Sequence, residues 1–186
     1  MFINRFQFTK ILQLKTLLLL TLTLNGCWST YVQPDKPDNA KIKIINDSEE
    51  MTIVLSTFKD GATCTGTQYF SIPKEMQTPN ANMDSHLKVR GQFETSIDSG
   101  KPFSLAFHGI KGNPALVVYC DIKSTLQTIT KNASYEYHYN YSAATRKCSV
   151  YLLELTSDNN KSFVESPRFV SRESRAGVLH ADSECE

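Results

Sequence analysis

The chain has 186 residues, 40% of them hydrophobic, with 20 Lys and Arg against 19 Asp and Glu. Charge this close to balance, with the basic residues scattered rather than bunched, offers no electrostatic pull toward nucleic acid and argues against a nucleic-acid partner. The length fits one domain around one core.

The first 26 residues have three parts. Met1 to Lys15 carries Arg5, Lys10 and Lys15 and no acid, so this end stays cytoplasmic during export. Thr16 to Leu24 reads TLLLLTLTL, apolar enough to enter a translocon but far short of the roughly 20 residues that span a bilayer. Leu24-Asn25-Gly26-Cys27 closes the run. This arrangement resembles the lipobox of a bacterial lipoprotein precursor. The resemblance implies a signal peptide over residues 1–26, diacylglyceryl transfer to the Cys27 thiol, cleavage before it, and further acylation by palmitate-type chains. Two chains suffice for stable anchoring where one is marginal. With Trp28 rather than Asp after the cysteine, the family default is the outer membrane of a Gram-negative envelope, facing the periplasm. The alternative is a plain secreted protein in which Cys27 is a fifth, unpaired thiol.

Residues 27–39 read as the lipidated cysteine and a tether, because Pro34 and Pro37 favour extended backbone and the rest is mostly polar. Cleavage leaves 160 residues with 17 basic and 19 acidic side chains, a net charge of −2 with neutral histidines.

The body of the protein, 40–156, alternates apolar and polar residues at the strand period. Ala40 to Asn46 and Met51 to Phe58 are predicted strands, and the polar run between them suits a hairpin. Asp60-Gly61 turns the chain, and Ser85 to Arg90 is a predicted short strand. Phe103 to Gly109 and Ala115 to Ile122 follow, separated by Lys111-Gly112-Asn113-Pro114. Leu126 to Thr130 reads as strand or loop. Ser134 to Ser142 and Lys147 to Leu155 form the last hairpin. About seven to nine short strands and no amphipathic helix predict an all-β fold: an antiparallel β-sandwich of immunoglobulin-like or transthyretin-like type, with a closed barrel as the alternative. Residues 157–186 are a polar tail or an edge strand.

Four cysteines remain beside Cys27, an even set for an oxidising compartment. Cys120 shares a strand face with Leu116, Val118 and Ile122, and Cys148 with Val150 and Leu152, so both sulfurs point into one apolar layer. This predicts Cys120–Cys148, with Cys64–Cys185 as the consequence. Zinc sites usually show a closely spaced pair, and the nearest cysteines here are 28 positions apart. No metal or other cofactor is expected.

Tyr135, Tyr137, Tyr139 and Tyr141 alternate with Glu136, His138 and Asn140, so a strand sets all four rings on one face. That face is either an aromatic platform for a glycan or protein partner, or one wall of the core. His86, His108, His138 and His180 sit on separate segments and read as solvated. No G-x-S-x-G, S-x-x-K, H-E-x-x-H or glycine-rich phosphate loop occurs, so no enzyme is expected. The expectation is a membrane-anchored accessory or binding module for another envelope protein. Alternatives are a protective lipoprotein that blocks a toxin or cell-wall hydrolase, and a periplasmic hydrolase with an unrecognised site.

Overall fold

Side chains alternating at period two need an apolar layer on one side and water or a second layer on the other, and two stacked sheets supply both. A computed structural model describes residues 29–79, 84–113, 116–155, 161–164 and 168–172. The expected leader, Cys27 and Cys185 lie outside the described residues.

Twelve strands are seen among those residues, more than the seven to nine expected: β1 (Ser29–Thr30), β2 (Ala40–Asn46), β3 (Thr52–Asp60), β4 (Thr65–Tyr69), β5 (His86–Leu87), β6 (Gln92–Ile97), β7 (Phe103–Asn113), β8 (Leu116–Leu126), β9 (Ser134–Ser142), β10 (Lys147–Leu155), β11 (Lys161–Phe163) and β12 (Arg168–Arg172). A 3-10 turn at Lys74–Met76 is the one helical element among them. The first sheet runs β1-β4-β3-β7-β8-β12, with β5 also paired to β3, and the second runs β11-β10-β9-β2-β6. The two sheets share no strand among the described residues, so the fold is a sandwich rather than a closed barrel.

Each sheet presents its apolar positions inward. The first contributes Ile53, Leu55, Leu105, Phe107 and Ile122, and the second Ile42, Ile44, Phe93, Ile97, Val150 and Leu152, all buried in one cluster. Burying a side chain of this size is worth about 1.5–3 kcal/mol. Cys120 on β8 is bonded to Cys148 on β10, with Cα atoms 6.0 Å apart, so the predicted bridge ties the two sheets together.

The all-β sandwich is as expected and most of its strand pairs are antiparallel, but both sheets are mixed. β2 pairs in parallel with β9, and β1 in parallel with β4. Alternation reports which face of a strand is buried and nothing about the direction of its neighbours. Nor do the first two long strands form a hairpin, for β2 lies in the second sheet and β3 in the first. The corner between them is built by two buried polar residues. Asn46 Nδ2 donates to the Met51 and Lys88 carbonyls at 2.8 and 3.0 Å, and its Oδ1 accepts from the Ser48 amide at 3.1 Å. Ser48 Oγ accepts from the Met51 amide at 2.9 Å. Buried polar groups this well satisfied act as a fixed elbow.

The sheets also extend beyond 40–156. β1 and Tyr31 lie on the domain, in the segment expected to be a tether. At the other end β11 and β12 add an edge strand to each sheet.

Candidate functional site

The tyrosine alternation falls on β9, between β10 and β2, and its rings form the inner wall of the sandwich. Tyr135, Tyr137 and Tyr139 are at most 2% exposed, and Tyr141 packs partly buried against the same cluster. The hydroxyls find partners inside, as buried phenols must. Tyr135 Oη accepts from the Thr130 amide at 3.1 Å, and Tyr137 Oη accepts from Ser124 Oγ at 3.1 Å. Tyr139 Oη is 3.2 Å from the Cys120 carbonyl and 3.0 Å from Met51 Sδ. Burial pushes the Tyr137 and Tyr139 hydroxyls well above the usual phenol range. Of the two readings of this face, the wall of the core therefore holds for Tyr135, Tyr137 and Tyr139, and the exposed aromatic platform does not.

With the rings inward, Glu136 and His138 must face out, and there they meet side chains from three other segments. His138 Nδ1 lies 2.8 Å from Asp47 Oδ2 at the β2–β3 corner, and its Nε2 is 3.5 Å from Glu136 Oε2. The imidazole stacks on Tyr151 of β10, with ring centres 4.5 Å apart and planes 6° from parallel. Lys161 of β11 reaches Glu136 Oε2 at 2.6 Å. Burial of Glu136 disfavours its charge. The Lys161 hydrogen bond and charge outweigh that, with help from His138 and Lys43, and hold the carboxyl below the usual glutamate range. Beside this charged group the surface turns apolar. Phe163 is 73% exposed and Tyr151 38%, their ring centres 6.2 Å apart, and Phe163 stands opposite Leu153 in the β10–β11 ladder.

The outer face of the first sheet carries a serine–histidine–aspartate series. Ser56 Oγ is 3.5 Å from His108 Nε2, and His108 Nδ1 is 3.4 Å from Asp121 Oδ1. His108 and Asp121 stand directly opposite on β7 and β8, and Ser56 sits diagonally across on β3. Residue types match a nucleophilic relay, but the geometry does not. Both distances exceed the roughly 2.6–3.2 Å over which such protons pass. Ser56 is 1% exposed, closed to a substrate. Its strand is paired on both sides, so the neighbouring amides serve the ladder rather than an oxyanion. The series is a polar cross-strand cluster.

A cleft of about 290 Å³ opens between the 3-10 turn, with Pro73 and Met76, and the β6 edge at Gln92 and Glu94. Lys43 and Glu75 give it both charge signs. Among the described residues no group of three His, Cys, Asp or Glu is placed to hold a metal ion. Cys64 is 2% exposed and disulfide-bonded, and its partner lies outside the described residues. Cys27, the expected lipidation site, lies there too.

Of the outward cluster, only the phase of Glu136 and His138 is written in the sequence, as the complement of the tyrosines. Asp47, Tyr151, Lys161 and Phe163 join it through strand pairing and the sheet-crossing corner. Comparison with protein-family models, curated proteins and solved structures finds no match.

Proposed function

We propose that this protein is a lipid-anchored envelope lipoprotein, held through Cys27 in the outer membrane and facing the periplasm, which binds another envelope protein and catalyses no reaction. The observation that carries the binding role is the outer surface of β9, β10 and β11. Exposed aromatic area at Phe163 and Tyr151 adjoins the charged group of Glu136, Lys161, His138 and Asp47. Aromatic anchors beside charged groups are the composition of protein-binding surfaces. The anchor is supported by the lipobox pattern at Leu24 to Cys27, and the Cys120–Cys148 bridge suits the oxidising compartment that such a leader implies.

Crosslinking in intact envelopes tests the binding role. The wild-type chain is expected to capture a defined partner that the double substitution Tyr151→Ser and Phe163→Ser loses, while anchoring and folding persist. Capture unchanged by the double substitution would refute this surface. A non-reduced peptide map tests the anchor. Cys120 and Cys148 are bonded to each other, so Cys64 has only Cys27 or Cys185 as a partner within the chain. Lipidation of Cys27 requires Cys64–Cys185; a Cys27–Cys64 peptide would end the lipoprotein reading.

A further inference from the structure

The backbone that follows Cys27 is bound to the domain almost from its first residue. Ser29 and Thr30 pair in parallel with Gln68 and Tyr69, and Gln68 Nε2 also donates to Ser29 Oγ at 3.3 Å. Tyr31 fastens the chain to both sheets. Its amide donates to the Tyr69 carbonyl at 2.8 Å and its hydroxyl to the Ser96 carbonyl at 2.7 Å. The ring packs 4.9 Å from Phe70 and 6.4 Å from Phe103. Farther on, Lys36 Nζ is 2.5 Å from Asp98 Oδ1, and Asn39 Nδ2 donates to the Pro34 carbonyl at 2.6 Å. Residues 29–39 are part of the body. Two residue steps, at most about 7 Å, are then all the slack between Cys27 and Ser29.

Strand direction says which end of the sandwich that short link serves. β4 runs from Thr65 to Tyr69 and β1 runs with it, so the chain arrives from the Thr65 end. Asp60 pairs with Thr65 there, and Phe103 opposite Leu126 closes the same end of the first sheet. The turn at residues 60–65 is braced: Asp60 Oδ1 accepts from the Ala62 and Thr63 amides at 2.9 and 3.3 Å. Its surface is charged rather than apolar. Lys59, Asp60 and Lys101 are exposed, and Lys131 pairs with Asp38 at 2.7 Å. Such a surface suits lipid headgroups and not the bilayer interior. At the opposite end lie the Cys120–Cys148 bond, the β9–β10 turn and the corner at residues 47–51.

Resting on the lipoprotein reading, we propose that the domain stands on the membrane in one orientation, with the end carrying residues 60–65 and 99–101 against the headgroups and the β9–β10 turn farthest from them. The 11 residues of β7 set the height between the two ends at about 36 Å. The Tyr151–Phe163 face then looks sideways along the membrane, toward a neighbour anchored in the same bilayer or standing in it.

Energy transfer to a headgroup acceptor tests this. The full chain, matured in cells, carries a dye on a clickable amino acid replacing either Lys101 at the lower end or Ala144 at the upper, and is reconstituted into vesicles. Transfer is expected to be several-fold higher from position 101 than from 144. A six-residue Gly-Ser insertion between Trp28 and Ser29 should bring the two values together. Equal transfer in a protein that floats with the vesicles, its N-terminal peptide carrying lipid, would overturn the fixed orientation and leave the lipoprotein reading standing. A chain that neither floats nor carries lipid would overturn both.

Discussion

Gly109 sits inside β7 opposite Ile53 and Cys120, where a glycine weakens a strand unless something needs the space. The Tyr139 hydroxyl needs it. A Cβ at this position would overlap Tyr139 Oη and Met51 Sδ and stand 2.9 Å from the Cys120 carbonyl oxygen. Met51 is flexible and can yield, whereas Tyr139 is fully buried and stacked on Phe107, ring centres 5.9 Å apart. Gly109→Ala must therefore displace the tyrosine. Overpacking costs about 1–3 kcal/mol, and a buried hydroxyl torn from its acceptor adds about 1–3, so a loss near 3 kcal/mol is expected. Tyr139→Phe alone should cost about 1 kcal/mol, since it removes one hydrogen bond without changing the ring. The two changes are not independent, because the phenylalanine no longer carries the atom that collides. Urea unfolding of wild type, both single variants and the double variant forms the cycle. The double variant is expected to be about 1–2 kcal/mol more stable than the summed losses predict, well beyond the roughly 0.5 kcal/mol seen between independent sites. Additive losses, or a Gly109→Ala loss under about 0.5 kcal/mol, would refute the account of this glycine.

Replacing Cys120 and Cys148 by serine should cost about 3.5 kcal/mol, the chain-entropy value for the loop they close, with each single variant costing about as much as the pair; an unchanged unfolding midpoint would show that the sheets hold together without the bridge. Glu136→Gln removes a carboxylate whose affinity for protons is lowered by folding. Stability from a depressed carboxyl is complete above its unfolded value and disappears as pH falls through the folded one. The variant should therefore be about 1–2 kcal/mol less stable at neutral pH, with the difference shrinking below about pH 5. A gap that stays constant into acid would mean that Glu136 and Lys161 do not interact as charges.

How far the sequence reaches can be judged strand by strand. Ser134–Ser142 and Lys147–Leu155 occupy the residues expected of them, because a short polar turn between two alternating runs is a wholly local signal. Phe103–Asn113 and Leu116–Leu126 are legible as a pair for the same reason, and both run longer than expected. The alternation of Phe93, Thr95 and Ile97 in β6 is a local signal too, although weak beside its polar neighbours. β1, β11 and β12 have little apolar pattern, and edge pairing to a ladder already formed holds them in place.

Alternation, a property of near neighbours in the chain, was enough to determine the β class and the single tyrosine face; cysteine phase favoured the Cys120–Cys148 bridge, and the packing of the two sheets fixed it. Tertiary structure decided that the tyrosine face looks inward, that Asn46 to Met51 crosses between sheets, and that β2 runs parallel to β9. It alone brings Asp47, Glu136, His138, Tyr151 and Lys161 together. The physical reason is that a strand's two faces are chemically distinct from the start, but which of them is buried, and beside which neighbour, depends on the layer that packs against it.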